Sequence, residues 1–464
     1  MPRVGPPRPV SEVSEVRAPL PTAAVAALAS VAVCLMAQAT HTCYAQLRTI
    51  EAGPLKVGIA TADLTPEGSV WMAGFGARTK PSAGVYKDLN AQCVVFDNGV
   101  TRLAFVALDL CKILEPQLED LRAAAQKADI PPQHVMINVS HTHSGPMLSQ
   151  KKNSEYVELF KARTDPIFEA AVRDLQPAVL DYRAGSCTMA INRRQLDSEG
   201  QCIGMRPEPR KQIDPDVPIL RVLSPEGGVR AVIFGYACHP SSISGYEVGP
   251  DYVGYARDWI AAAYPDCVPM FLQGCGGDIK PRYTKPNGRF GHVLLDPMPT
   301  TAELGHELGR AVVSALVVPP EPVPADRPEA PPEALAAPVR LAGIVEKVSV
   351  PDKTDPDNSH QINMGAWRVG DVYVFGSQCE ICSNIGLRIK RELSGLRVWT
   401  NGYTHWGGGY VPDAASYPEG GYEIKTSSVS PAAEEIVVGN AIRYVRALQR
   451  GEAGRGPIPG PADD

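Results

Sequence analysis

From Lys56 onward, apolar runs of strand length alternate with segments of helical periodicity, and polar residues capable of chemistry follow the strands directly. The spacing predicts strands at Leu103 to Leu108, Val135 to Val139, Val217 to Leu223, Val229 to Cys238, Val268 to Leu272 and Val372 to Phe375. Helices are predicted at Glu115 to Lys127, Ser154 to Leu175, Gly254 to Ala263, Thr301 to Val317, Ser383 to Leu393 and Ala432 to Leu448. Such alternation is the pattern of an α/β protein in which layered, mixed β-sheets are flanked by helices. No internal repeat is visible in the sequence.

The 464 residues suffice for a large core. A net charge of -6, with no block of like charges, excludes nucleic acid as a partner. The segment from Ala23 to Met36 is small and apolar, and Cys43-Tyr44-Ala45 follows it. This reads as a signal peptide over residues 1–45, cleaved near Ala45, with an uncleaved anchor as the alternative. No other stretch reaches membrane-spanning length, so a secreted or periplasmic protein without a membrane span is expected. Residues 50–450 read as one catalytic domain, interrupted by a Pro-rich excursion at 319–338 and followed by a flexible tail at 451–464. Of eleven cysteines, Cys34 and Cys43 lie in the leader, and the remaining nine have no repeated spacing. At least one thiol is therefore unpaired, and Cys379 and Cys382, lacking a second C-x-x-C pair, read as small buried hydrophobes.

Chemistry collects at the strand ends. Val135–Val139 leads to His141 and His143, Val232–Cys238 to His239, Val268–Leu272 to Gly274–Asp278, and Val372–Phe375 to Glu380. Ligands of open α/β sheets bind beyond the carboxyl ends of the strands, so these residues are candidates for one crevice. Imidazole and carboxylate suit zinc, and an open coordination position marks the hydrolytic kind of site. Strand geometry would put His141 and His143 on one face, as twin ligands or as a hydrogen-bonded structural pair. The turn Gly274–Asp278 offers amides to an anion or works as a tight connection. The aromatic, glycine-rich stretch Gly402–Tyr422 suits a loop over a site, with His405 unassigned. His306 lacks the second histidine of H-E-x-x-H and reads as helix decoration.

Several of these stretches resemble the neutral, non-lysosomal ceramidase family. They are Val57–Pro66 with Met72–Phe75, Asn138–Pro146, Asn192-Arg193-Arg194, Tyr236–Ser241, Asp251-Tyr252 with Gly254-Tyr255, Gly277–Pro281, Glu380 before Ile385–Lys390, and Gly409–Pro412 with Gly420-Gly421-Tyr422. The resemblance implies a layered α/β catalytic domain holding Zn2+ on His141, His239, Glu380 and Tyr410. It assigns His143 to the substrate side, with Arg193, Tyr422 and Gly74 as substrate contacts. Two departures stand out. The family's Gly-Asp-Val-Ser-Pro is Gly277-Asp278-Ile279-Lys280-Pro281 here, so Lys280 stands where the family has a serine, and the family's C-terminal immunoglobulin-like domain is missing.

The expected activity is an exported zinc hydrolase that cleaves the amide of a small-molecule or lipid N-acyl substrate with metal-activated water. His143, Asp278 and Lys280 are the catalytic candidates, and Arg193, Lys280 and Arg282 would make the pocket cationic. The competing readings are a zinc esterase or carbohydrate-directed hydrolase on the same scaffold, and a non-catalytic exported binding protein.

Overall fold

Three sheets organise the chain, and each ends in one parallel pair of strands bridged by a helix. The structure is a computed structural model and describes residues 48–49, 52–294, 296–317, 338–405 and 407–453. The leader, nearly all of the Pro-rich excursion and all but the first residues of the tail lie outside the described residues.

The first sheet contains β1 (Lys56–Asp63), β2 (Asn90–Asp97), β3 (Arg102–Leu108) and β4 (Val135–Val139), with α1 (Glu115–Lys127) joining β3 to β4. Helices α2 (Gln150–Thr164) and α3 (Ile167–Arg173) follow. The second sheet contains β5 (Val179–Ser186), β6 (Asp216–Leu223), β7 (Val229–Tyr236) and β8 (Val268–Gln273). Here α4 (Tyr252–Ala263) joins β7 to β8, and α5 (Met298–Val317) follows. The third contains β9 (Val339–Pro351), β10 (Ser359–Val369), β11 (Val372–Ser377) and β12 (Arg397–Asn401). There α6 (Ser383–Glu392) joins β11 to β12, and α7 (Ala433–Arg450) comes last.

In every sheet these strands pair in sequence order, antiparallel except for the final pair. A parallel neighbour cannot be reached by a hairpin, which is why a helix intervenes at each final pair. The chain thus builds a β-α-β unit three times without repeating its sequence.

Strand side chains alternate between a shared centre and an outer helical layer. In β3, Leu103, Phe105 and Ala107 face the centre, whereas Ala104, Val106 and Leu108 face α1–α3. The same period divides Ala231 and Ile233 from Val232 and Phe234 in β7, and Val372 and Val374 from Tyr373 and Phe375 in β11. Both faces being buried, these strands read as continuous apolar runs. The centre holds Phe96, Phe105, Leu220, Ile233, Trp367 and Trp399, drawn from all three sheets. There Gly235 permits contact with Trp399, whose Nε1 would lie 2.5 Å from an added Cβ.

Parts of the chain differ from the sequence reading, which also lacked β1, β2, β5 and β12. The helix expected over 154–175 is divided at Pro166, which lacks the amide a continuous helix needs. The β9–β10 hairpin was not anticipated, because polar residues such as Glu346 and Lys347 interrupt its apolar alternation. All nine described cysteines are free, and eight of them are buried. Among the described residues no helix is long and apolar enough to cross a membrane.

Candidate metal centre

Each sheet delivers one residue to the same point: His141 beyond β4, His239 beyond β7 and Glu380 beyond β11. His239 Nε2 lies 3.0 Å and His141 Nε2 3.4 Å from Glu380 Oε2. Neither histidine is free to rotate. His141 Nδ1 lies 2.7 Å from the Cys111 carbonyl oxygen, and His239 Nδ1 lies 2.8 Å from that of Gly276 and 3.1 Å from that of Ile279. With Nδ1 donating in both rings, both Nε2 lone pairs point at a carboxylate, an arrangement of three acceptors that calls for a cation. Bonds of about 2.0–2.1 Å to a tetrahedral ion put ligand atoms roughly 3.3 Å apart, close to the spacing found. Burial disfavours a charged His141, but Cys111 and Glu380 outweigh it and hold the group well above the ordinary range. Burial, with Arg193 beside it, pushes His239 down to about 4.

Cys111, His141 and His143 form a second possible ligand set. It fits less well, because Cys111 Sγ lies 3.7 Å from His141 Nδ1, the nitrogen already donating to the Cys111 carbonyl.

His141 and His143 do not share a strand face. The strand stops at Val139, and His141 adopts φ 63°, a left-handed conformation unusual for a side-chain-bearing residue. That reversal, rather than strand periodicity, sets His143 Nε2 3.2 Å from His141 Nε2. Gly74 leaves room for the His143 ring, since a Cβ there would lie 2.5 Å from His143 Cγ, and Phe75 packs edge-on against it. His143 Nδ1 is buried with no partner. Burial, then the neighbouring His141 and His239, hold His143 well below the usual histidine range.

Tyr410 pairs in parallel register with Glu380, which places it beside the cluster. Arg193 Nη2 donates to the Tyr410 hydroxyl at 3.1 Å, and its Nη1 lies 3.3 Å from His239 Nε2. Glu423, absent from the sequence reading, binds Arg193 at 2.7 Å and Arg194 at 2.8 Å. Arg193 is therefore buried and already neutralised. Tyr422 is 42% exposed, with its ring 5.6 Å from that of Tyr410 and 5.8 Å from the Arg193 guanidinium carbon.

Asp278 accepts from Asn192 Nδ2 and the Ser383 amide, both at 2.7 Å, and so ties the segment bearing Arg193 to the helix that follows Glu380. The Gly274–Asp278 turn uses the Gly274 and Gly277 amides on the carbonyls of Tyr236 and Ile381. What it offers the centre is the Gly276 carbonyl, held by His239. Lys280 Nζ lies 5.7 Å from the Tyr283 ring and 5.4 Å from Phe290, and it has no ion-pair partner among the described residues. Arg282 is exposed and paired with Glu307, so it does not make the pocket cationic. His405 is buried against the Val135 carbonyl, and His306 packs on Trp259.

Two further residues escaped the sequence reading. Asn138, fully buried, holds the sheets together: its Nδ2 donates to Gly402 O at 2.9 Å and Gln273 O at 3.3 Å, and its Oδ1 accepts from the Gln273 amide at 2.7 Å. Tyr403 lies over His141, ring centres 4.5 Å apart, with a buried hydroxyl that has no partner. A cavity of about 240 Å3 opens on the cluster, lined by Gly74, His141, His143, Met147, Glu380 and Tyr403 among others.

No protein-family model matches the chain, and no curated protein matches its sequence. Among solved structures, that described as neutral ceramidase from Pseudomonas aeruginosa is similar with a TM-score of 0.69 at 19% identity, covering 89% of this chain and 77% of that one. A structure described as ceramidase complexed with C2 is similar with a TM-score of 0.69 at 18% identity over the same shares. The likeness establishes the fold, a layered α/β architecture shared with those proteins.

Proposed function

We propose that the chain is an exported zinc-dependent hydrolase that cleaves the amide bond of an N-acyl substrate with water. The observation that carries this reading is the set of facing acceptors on His141, His239 and Glu380, with both Nδ1 atoms held by backbone carbonyls. Two imidazoles and a carboxylate are a donor set that zinc takes in hydrolytic sites, and Tyr410 would complete it. The ceramidase-like fold and motifs support an amide as the scissile group. Zinc bound there would supply a Lewis acid and lower the pKa of water toward about 7.

The chain's own residues position the reactants and move the proton. His143, kept neutral by burial and by His141 and His239, accepts a proton as water attacks the carbonyl carbon and returns it to the leaving nitrogen as the C–N bond breaks. Arg193, fixed by Glu423, orients the Tyr410 hydroxyl and the His239 ring. Tyr422, at the mouth, meets the incoming substrate. Asp278 acts at one remove, holding the segments that carry Arg193 and follow Glu380.

Zinc content, together with hydrolysis of N-acyl amides by the purified protein, tests the proposal. We expect zinc near one equivalent and an amidase activity abolished by chelator and by His239→Ala. Amide hydrolysis indifferent to both, or hydrolysis of esters alone, would sink it. Export is tested separately by N-terminal sequencing of the mature protein, which should begin after Ala45.

A further inference from the structure

Lys280 lies outside the metal cluster and heads a group of side chains that the reaction above does not use. Its ammonium rests on Tyr283 and Phe290, and the Tyr283 hydroxyl donates to the Ser241 carbonyl at 2.9 Å. His292 stacks on Tyr283, ring centres 4.7 Å apart, and its Nε2 meets the Ser242 carbonyl at 2.7 Å. Within this group Ser241 Oγ, Ser242 Oγ and His292 Nδ1 are buried without partners, both serines being at most 3% exposed. His143 adjoins it: its amide donates to the Pro240 carbonyl at 2.9 Å, and its own Nδ1 is unpartnered.

The nearby acid, Asp251, makes no ion pair with this lysine. Asp251 already accepts from the amides of Ser242, Ile243 and Tyr252. Arg193, the other cation close by, is neutralised by Glu423. One cation with no ion-pair partner beside two idle serine hydroxyls is a cradle for a monoanion, because a buried ammonium with no direct ion pair and buried hydroxyls without partners are both costly. A dianionic phosphate would call for a second free cation.

We infer that the Lys280 cluster binds a carboxylate on the amine half of the substrate, so that the enzyme acts on N-acyl amino acids with a short acyl chain. This rests on the hydrolase reading above. His143 lines the cavity on the metal cluster and donates its amide to the Pro240 carbonyl, next to Ser241: the cavity takes the acyl group, and Lys280 takes the carboxylate of the leaving amine. The cavity, at about 240 Å3, is smaller than the roughly 300–1,000 Å3 of pockets that enclose drug-sized ligands, which suits a short acyl chain.

The test compares N-hexanoylglycine with its uncharged counterpart N-hexanoylglycinamide on the zinc-loaded full chain, by calorimetric binding and by kcat/KM. Wild type should favour the carboxylate by about tenfold or more, the scale of one charge-assisted hydrogen bond. The ratio should fall to about one in Lys280→Met and be largely restored in Lys280→Arg, with Lys280→Gln used if the methionine variant does not fold. Equal binding of the two probes by wild type overturns the inference. So does a preference that survives in Lys280→Met, which would put the carboxylate on the metal instead. Should neither probe be hydrolysed while binding still discriminates through Lys280, the subsite stands and the hydrolase reading falls.

Discussion

At His141 the backbone takes a conformation that costs a side-chain-bearing residue about 1–2 kcal/mol, and the surrounding contacts hold it there. The H-x-H spacing made the pair visible in the sequence but gave the wrong reason for their meeting, because a left-handed residue leaves no periodic trace. The division of labour is testable. His143→Ala should keep its zinc, measured by elemental analysis, while kcat falls by about 10²- to 10⁴-fold. Loss of zinc in that variant would make His143 a ligand. Tyr403 offers a second test, since its hydroxyl has no partner to lose. Tyr403→Phe should melt no lower than wild type in the metal-free state, and a fall in turnover at unchanged stability would show that the hydroxyl meets the reacting atoms. Lys280 adds a pH signature. Burial, and then Arg193, push its ammonium down to about 8 against the opposing pull of Asp251 and Cys238. The charge is present below that pH and lost above it, so the preference for hexanoylglycine over hexanoylglycinamide should decline as pH rises through about 8.

Among elements, the three β-α-β units explain which parts of the fold were legible. Five of the six strands in the parallel pairs are apolar runs buried on both faces, and each crossover helix shows its own period, whereas β12, short and carrying Arg397, Thr400 and Asn401, shows no such run. Strands such as β5 and β9 have partly exposed faces, where polar residues break the alternation that would announce them. The joints between units were hidden for a different reason. Asn138 belongs to a glycosylation-like triplet, yet it hydrogen-bonds to Gln273 and Gly402 from two other sheets, a role set by distant backbone. Asp278 is the corresponding joint beside α6. Removing its carboxylate strands the Asn192 side chain and the Ser383 amide, at about 1–3 kcal/mol for each buried group. Asp278→Ala should therefore lower the denaturation midpoint and weaken zinc binding by about 10- to 100-fold, as loss of supporting hydrogen bonds does at other metal sites. An unchanged zinc affinity measured by competitive chelation would confine Asp278 to stability.

For the whole molecule, the proposed cation at the meeting point of three sheets would link layers that otherwise share packing and a few hydrogen bonds. Zinc at 100 times its dissociation constant should stabilise the fold by about 2.7 kcal/mol, seen as a rise in melting temperature that chelator reverses. Hydrogen exchange should slow most at the strand ends around residues 139–143, 237–241 and 378–381. Uniform slowing over the whole chain would mean that the layers open only as one unit. The order of the candidate ligands along the chain also bears on when the site can be completed. Two sheets and both imidazoles precede Glu380 and Tyr410 along the chain, so a chain whose third layer has not folded would offer zinc only two of its proposed ligands. On the proposed zinc reading, metal capture would be the last step of maturation, and firm zinc binding would report that the third layer has folded.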